Sequence, residues 1–121
     1  DKQGDLSACS MLANTWLAEE KQEEAMRAQK IALRLARELG DQQQINDVLE
    51  IGVNVHFANE LPEKALALAD EEVRLARKAK NAKREAHGLV KVAKVKMMQG
   101  KTTEAFRAYN EALAVFQEAG E

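Results

Sequence analysis

The chain repeats itself with a period of forty residues, and this period constrains its fold more than any other feature. A charged residue followed by alanine recurs at this spacing, as does a short polar residue able to cap a helix. The recurring positions are Glu24-Ala25, Lys64-Ala65 and Glu104-Ala105, together with Asp1, Asp41 and Asn81. We therefore predict a single array of three repeats, at residues 1–40, 41–80 and 81–121.

Apolar residues within each copy return at intervals of three and four, which indicates two amphipathic helices per copy. Pro62 suits the first turn of a helix because it has no N–H to lose there. Asp41 with Gln44 resembles a capping box, and Thr102 is a candidate cap for the last helix. We predict six helices that form three antiparallel hairpins. Their expected ranges are 5–18, 23–38, 42–58, 63–79, 83–98 and 103–118.

Composition agrees with an all-α fold, because the chain has one proline, 4% aromatic residues and a hydrophobic fraction of 45%. A lone hairpin of this kind cannot bury its apolar stripe, so the hairpins are expected to stack on one another as an α-solenoid. The net charge of -2 does not favour nucleic acid as a partner. No apolar run approaches the ~20 residues that span a bilayer.

Cys9 is the only cysteine, which excludes an internal disulfide and favours a reducing compartment. We therefore expect an intracellular, cytoplasmic location. The chain begins at Asp1 rather than at methionine, and we expect it to be a segment of a larger multi-domain protein.

The residues at matched offsets resemble the tetratricopeptide repeat (TPR), whose short consensus places Leu, a small residue and an aromatic in the first helix and Ala in the second. In the third copy the matching residues are Leu89, Val92, Ala93, Ala105, Tyr109 and Ala112. The small residues Ala13 and Val53 fit as well, and the long second helices resemble the variety with about 40 residues per repeat. The resemblance covers the whole chain and implies a right-handed superhelix whose first helices line a concave groove for peptides or partner proteins.

The resemblance also implies which side chains line that groove. They are Ser7, Ser10, Asn14, Leu17, Ala18, Asp47, Glu50, Ile51, Asn54, Phe57, Ala58, His87, Val90, Lys91, Lys94, Met97 and Met98. Asn14 and Asn54 recur at one groove position, where an amide can hold the backbone of an extended peptide with one donor and one acceptor. The alternative for this pair is a solvated surface amide.

Charge is unevenly distributed along the chain. Residues 74–101 contain ten Lys and Arg and one acid, Glu85, whereas residues 1–73 contain fifteen acids and seven bases. His87, Lys91 and Lys94 share a helix face and are candidates to grip an acidic residue of a ligand. Asp47 and Glu50 are candidates to select a basic one. A solvated basic face and pairing between neighbouring molecules are the competing interpretations.

Four soft apolar side chains, Leu17, Phe57, Met97 and Met98, are expected at one end of the groove, where they either accept apolar ligand residues or join the core. Trp16, His56 and Cys9 are interpreted as packing residues. His56 has no second ligand at metal-binding spacing on its face, so no metal site and no cofactor are predicted.

No nucleophile–base arrangement and no phosphate loop is present in the sequence, and we expect the chain not to be an enzyme. The leading hypothesis is a protein-interaction scaffold that binds an extended or helical peptide. Two alternatives are an effector-sensing region of a signalling or transcription regulator and an architectural, self-associating segment. The last alternative depends on the C-terminal helix, in which one apolar side has nothing behind it to cover it. That side carries Phe106, Tyr109, Leu113 and Phe116.

Overall fold

The computed structural model describes residues 1–120, which form six α-helices and no strand. The helices are α1 (Lys2–Ala18), α2 (Gln22–Leu39), α3 (Gln42–Ala58), α4 (Pro62–Lys78), α5 (Ala82–Met98) and α6 (Thr102–Ala119). The predicted all-α fold is confirmed. Helices α1, α3 and α5 begin at residues 2, 42 and 82, and helices α2, α4 and α6 begin at 22, 62 and 102, so both sets keep the forty-residue spacing.

The first helix of each forty-residue stretch is capped by a short polar side chain. Asp1 accepts from the Gly4 N–H at 2.6 Å, Asp41 from Gln44 at 3.1 Å and Asn81 from Arg84 at 3.1 Å. This corrects the predicted start of the first helix at residue 5, because the Asp1 cap satisfies the first-turn donors and the helix begins at Lys2. At the predicted capping box, the Gln44 N–H donates to Asp41 Oδ1, and the Gln44 side-chain Nε2 donates to Gln3 Oε1.

Helices α2 and α6 begin without a side-chain cap, although the sequence predicted one at Thr102. Lys101, not Thr102, is the N-cap of α6, and no side chain bonds to the first-turn amides there. Pro62 is the first residue of α4, one residue before the predicted start at 63 and within the first turn where its missing N–H costs nothing. The connections after α1, α3 and α5 each contain a residue with left-handed backbone, namely Glu20 (φ 62°), Glu60 (φ 57°) and Gly100 (φ 77°). Only Gly100 adopts this conformation without steric cost.

The chain divides into two compact units, with unit 1 ending at Leu61 and unit 2 beginning at Pro62. In unit 1, α2 packs against both α1 and α3, and α1 also touches α3. In unit 2, α5 packs against both α4 and α6. These two units neither support nor replace the division of the chain into three forty-residue repeats, which we retain as a proposal.

Small side chains of the second helices are buried in both units. Ala25, Ala65 and Ala105, the alanines of the repeating dipeptide, are all fully buried. An alanine adds almost no bulk between two helices, so the backbones approach closely and a long side chain at these positions would overpack the contact. Cys9, interpreted from the sequence as a buried thiol, is only half-buried.

Candidate functional site

Helices α1 and α3 of unit 1 enclose a cleft of about 200 Å³ between their exposed faces. Its lining residues are Gln3, Leu6, Ser7, Ser10, Gln44, Asp47, Val48 and Ile51. Four of these, Ser7, Ser10, Asp47 and Ile51, are residues that the sequence predicted to line a groove. The structure therefore brings predicted groove residues from two different helices together.

The cleft has an apolar floor and polar walls. Leu6 and Val48 are buried and Ile51 is half-buried. At the N-terminal ends of the two helices, Gln44 Nε2 donates to Gln3 Oε1 at 2.8 Å and joins one helix to the other. This hydrogen bond bridges the two helices at one end of the cleft, and apolar side chains form its floor along the rest.

The polar wall of the cleft combines hydroxyl groups on α1 with a carboxylate on α3. Ser7 and Asp47 are exposed, and Ser10 is half-buried. Asp47 Oδ1 accepts from Gln43 Nε2 at 3.1 Å, a contact within one helix face that holds the carboxylate at the rim. A carboxylate at the edge of an apolar slot suits a side chain with an aliphatic stem and a cationic end.

The other groove residues predicted in unit 1 lie further along the same two helices. Asn14 and Asn54 are exposed, each seven residues from a cleft residue and so on the same helix face. Leu17 and Glu50 are half-buried, and Phe57 is exposed. None of these lines the cleft, so the structure places them as neighbours of the cleft rather than as its walls.

The three basic residues that the sequence placed on one face of α5 in unit 2 differ in exposure. His87 and Lys94 are exposed, but Lys91 is only 8% exposed. Met98, a further predicted groove residue of this helix, is exposed. The Lys91 ammonium lies 3.5 Å from Glu72 Oε1 of α4, and Glu72 is fully buried. The prediction of Lys91 as a ligand-gripping cation is therefore corrected: its charge is held by a buried carboxylate of the same unit.

A second cleft, which the sequence did not predict, lies between α4, α5 and α6 of unit 2 and has a volume of about 540 Å³. Its lining residues are Asp70, Val73, Arg74, Arg77, Leu89, Val92, Lys96, Glu104, Arg107, Ala108 and Glu111. Arg77 donates to Glu85 at 2.8 Å and also to Glu111, and Lys96 donates to Glu104 at 2.9 Å. Two of these pairs join residues eight apart across a helix connection, and helical periodicity within one helix does not predict such a contact.

Burial and ion pairing shift the pKa values of two carboxyl groups of this second cleft in opposite directions. Burial raises the pKa of Asp70 although Lys96 acts to lower it. The hydrogen bond from Lys96, together with its charge, lowers the pKa of Glu104. The hydrogen bond to Glu85 raises the pKa of the Arg77 guanidinium, which stays charged in any case.

We expect the Asp70→Asn variant to be slightly more stable than the wild type at neutral pH. Because the folded-state pKa of Asp70 lies above its ordinary value, ionisation costs more in the folded chain than in the unfolded one. That cost is present at neutral pH and disappears as the pH falls below about 3.8, so the two proteins should converge there. Asp70 is largely exposed, and screening limits the expected gain to about 0.5 kcal/mol or less. Urea unfolding at several pH values measures the difference.

Glu104→Gln is the matched control, for which we expect a change of opposite sign in the free energy of unfolding at neutral pH. The pKa of Glu104 is lowered in the folded chain, so its ionised form contributes stability at neutral pH that is lost as the pH falls through the folded-state pKa. The Gln variant should therefore be the less stable protein at neutral pH and equal to the wild type in acid. Shifts of the same sign in both variants would contradict this assignment.

A shallow depression of about 740 Å³ runs along the outer side of α2 in unit 1. It is lined by Arg27, Lys30, Ile31, Leu33, Arg34, Arg37 and Glu38. Ile31 is exposed in the middle of this basic stripe. The uneven distribution of charge predicts a basic surface at residues 74–101 but not this stripe, because unit 1 as a whole is acidic.

The fold defined by these helices is that of a TPR domain. Among solved structures, the chain is similar to the crystal structure of the TPR domain of Arabidopsis FLU, with a TM-score of 0.86 over 98% of this chain and 99% of that chain. The two sequences are 16% identical, so the similarity shows the fold alone. No protein-family model and no curated protein sequence matches the chain. The TPR-like fold expected from the repeating residues is therefore confirmed by structure.

Two further observations concern residues 1–120. No helix in this part of the chain is long and apolar enough to cross a membrane. Within the same residues, no group of three or more His, Cys, Asp and Glu side chains is placed to hold a metal ion. The expected absence of enzymatic activity and the cytoplasmic location remain predictions.

Proposed function

We propose that the chain is a protein-interaction module and that the α1–α3 cleft of unit 1 binds an extended peptide through a lysine or arginine side chain. The observation that carries this proposal is the placement of the Asp47 carboxylate at the rim of a cleft whose floor is Leu6, Val48 and Ile51. An aliphatic stem is stabilised by the floor, and its charged end reaches the carboxylate.

The charge of unit 1 supports a cationic ligand. Unit 1 contains eleven Asp and Glu against six Lys and Arg. An acidic surface raises the local concentration of a basic peptide and increases its association rate, and added salt reduces both effects. The volume of about 200 Å³ accommodates one or two side chains rather than a folded element.

The peptide backbone has its own partners beside the cleft. Ser7 and Ser10 provide hydroxyl groups on α1, and the exposed amides of Asn14 and Asn54 continue the polar surface of the two helices. Each amide offers one donor group and one acceptor, which matches the alternating N–H and C=O of an extended chain. On α5 of unit 2, we propose His87, Lys94 and Met98 as a separate surface for an acidic residue of a partner, without Lys91.

Fluorescence anisotropy with a set of ten-residue peptides tests the cleft. The peptides share a neutral sequence and differ at one central position, which is lysine, arginine, glutamate or norleucine. We expect the lysine and arginine peptides to bind about tenfold more tightly than the norleucine peptide, as for a hydrogen bond to a charged group. The Asp47→Asn variant should lose this preference, and Asn54→Ala should weaken all four peptides alike.

The matched control is Glu24→Gln, which removes one exposed negative charge from α2, a helix that contributes nothing to the cleft. This variant should keep the preference for basic peptides. The proposal fails if the wild type does not distinguish lysine from norleucine, or if the Asp47→Asn and Glu24→Gln variants bind alike.

A further inference from the structure

We infer that the cleft between α4, α5 and α6 of unit 2 binds a small carboxylic acid with an apolar body, and that Arg74 and Arg107 hold its carboxylate. All residues that line this cleft belong to unit 2, and none of them lines the peptide-binding cleft of unit 1. The inference therefore does not depend on the proposed function. It does not depend on an uncovered end of the chain either, because three helices of one unit form the cleft.

The floor of this cleft is apolar. Its apolar lining residues are Val73, Leu89, Val92 and Ala108, and each of them is between 5% and 9% exposed. Helices α4 and α6 both pack against α5, so α5 forms the bottom of the gap between them. An alkyl chain or an aromatic ring in this gap is stabilised, because apolar surface of the ligand and of the floor is removed from water together.

Two ion pairs bridge to α6 and limit the length of a ligand. Lys96 of α5 donates to Glu104 at 2.9 Å, and Arg77 of α4 donates to Glu111. Along α6, Glu104 and Glu111 are two helical turns apart, which is about 10 Å. A compact ligand fits between the bridges, whereas an extended polypeptide has to pass over them. The cleft volume of about 540 Å³ also lies in the range of small-molecule sites.

Each carboxylate that lines the cleft already has a cation of the same unit beside it. Glu104 and Glu111 accept the hydrogen bonds of the two bridges. Asp70 lies near Lys96, whose positive charge acts to lower the pKa of this carboxyl group. A cationic ligand would have to compete with Lys96 or with Arg77 for these groups. The pairing of the carboxylates therefore disfavours an amine as the ligand.

The two remaining cations of the cleft are engaged more weakly. Arg107 of α6 acts on Glu104 through its charge, but that carboxylate accepts its hydrogen bond from Lys96. The Arg74 guanidinium lies 3.9 Å from Glu71 on the same helix, and the Arg74 side chain is 67% exposed. An ion pair of this kind in water contributes little to stability. Both guanidinium groups can therefore turn their N–H donors towards a ligand at little cost.

Arg74 and Arg107 lie at a similar height on opposite walls of the cleft. The connections after α4 and α5 are short, so α4 and α6 run in the same direction on either side of α5. Arg77 of α4 is level with Glu111 of α6, because their side chains are hydrogen-bonded. One helical turn before these two residues are Arg74 on α4 and Arg107 on α6. A carboxylate between the walls accepts from a guanidinium on each side.

The charge of the lining side chains favours a singly charged anion. The lining contains four cations and three carboxylates, which leaves one positive charge. The cations are Arg74, Arg77, Lys96 and Arg107, and the carboxylates are Asp70, Glu104 and Glu111. One carboxylate on the ligand neutralises this charge, whereas a phosphate dianion adds excess negative charge beside three carboxylates. The ligand class that fits is therefore an alkyl or aryl carboxylate.

An NMR titration of the isotopically labelled 121-residue chain with hexanoate tests the site. We expect the amide signals of the floor residues to shift at millimolar hexanoate, while the signals of unit 1 stay in place. Hexanamide should bind at least about tenfold more weakly, because it lacks the charged acceptor for the arginines. Acetate should also bind at least about tenfold more weakly, because it lacks most of the alkyl chain that covers the floor.

Two variants, Arg74→Gln and Arg107→Gln, test which groups hold the carboxylate. Each should weaken hexanoate binding by about tenfold and leave hexanamide binding nearly unchanged, because only the charged hydrogen bond is lost. Arg34→Gln is the matched control. Arg34 is exposed, lies forty residues before Arg74 at the same offset of α2, and does not line the cleft. This variant should bind hexanoate as the wild type does, and circular dichroism confirms that each variant keeps its helix content.

Several outcomes would overturn the inference. If no floor signal shifts up to about 20 mM hexanoate, the cleft does not bind this class of ligand. Equal binding of hexanoate and hexanamide, or equal weakening by Arg34→Gln and Arg74→Gln, would show that the arginines of the cleft do not hold the carboxylate. Tighter binding of hexylammonium would assign the cleft to a cation, and tighter binding of hexyl phosphate would assign it to a phosphoryl group. Tighter binding of a ten-residue peptide with a central glutamate would assign it to a protein partner.

Discussion

Replacing Lys91 with methionine is expected to destabilise the chain by about 3–5 kcal/mol. Glu72 is fully buried, and the Lys91 ammonium at 3.5 Å is a cation that offsets the cost of keeping its carboxylate away from water. The methionine fills the space of the lysine stem but removes that charge. Urea unfolding followed by circular dichroism measures the loss in free energy of unfolding.

The chain itself supplies the control for this experiment. In unit 1 the residues at the offsets of Glu72 and Lys91 are Ala32 and Ile51. The double variant Glu72→Ala with Lys91→Ile removes both charges and should be less destabilised than Lys91→Met, because its remaining cost is the cavity left by the shorter side chains rather than an unpaired buried charge. A single variant that loses under about 1 kcal/mol, or a double variant no better than the single one, would show that the pair does not act in this way.

Gly88→Leu should destabilise the chain by about 2 kcal/mol. A Cβ at this position would lie 2.8 Å from Val73 Cγ2 and 3.4 Å from the Val73 backbone nitrogen, so α4 and α5 have to separate. Overpacking of this kind costs about 1–3 kcal/mol, and the better helix propensity of leucine returns only a part of it, at most about 1 kcal/mol. The same urea titration gives the value.

Lys94→Leu is the control on the same helix for Gly88→Leu. Lys94 is exposed on α5, so its effect on the free energy of unfolding should stay within about 0.5 kcal/mol. Equal effects of the two substitutions would contradict a close approach at Gly88. The sequence alone does not predict the close approach at Gly88, because an isolated glycine within a helical pattern need not have a packing role.

The helices were largely predictable because their signals are local. The start of α3 at Gln42 follows from Asp41, whose side chain accepts from Gln44, and the start of α4 follows from Pro62. The predicted start of α1 lies three residues too late, because the apolar pattern begins only at Leu6 whereas the helix begins directly after its cap, Asp1. The left-handed residues Glu20 and Glu60 were not predicted, since glutamate rarely adopts this conformation.

Part of the candidate site was predictable from residues at matched offsets in the first helix of each repeat. Ser7, Ser10 and Asp47 were assigned to a shared surface through the resemblance, and the structure places all three around one cleft. Lys91 was assigned to the same kind of surface and lies buried against Glu72. Spacing along a helix gives the angle between two side chains around the helix axis. It does not show whether a neighbouring helix covers a given face, so an exposed lysine and a buried lysine can have the same spacing.

The sequence by itself determined the six helices, their forty-residue spacing and the polar caps, because hydrogen bonds within a few residues decide these features. The tertiary structure alone decided which helix face is covered, which charges are buried and which apolar residues stay in water. Met11 and Lys91 illustrate the difference, since they occupy the same offset in α1 and α5, yet the apolar side chain is exposed and the charged one is buried. Burial of a side chain depends on which helix packs against it and on the partner side chains of that helix. The sequence pattern within one helix does not predict either.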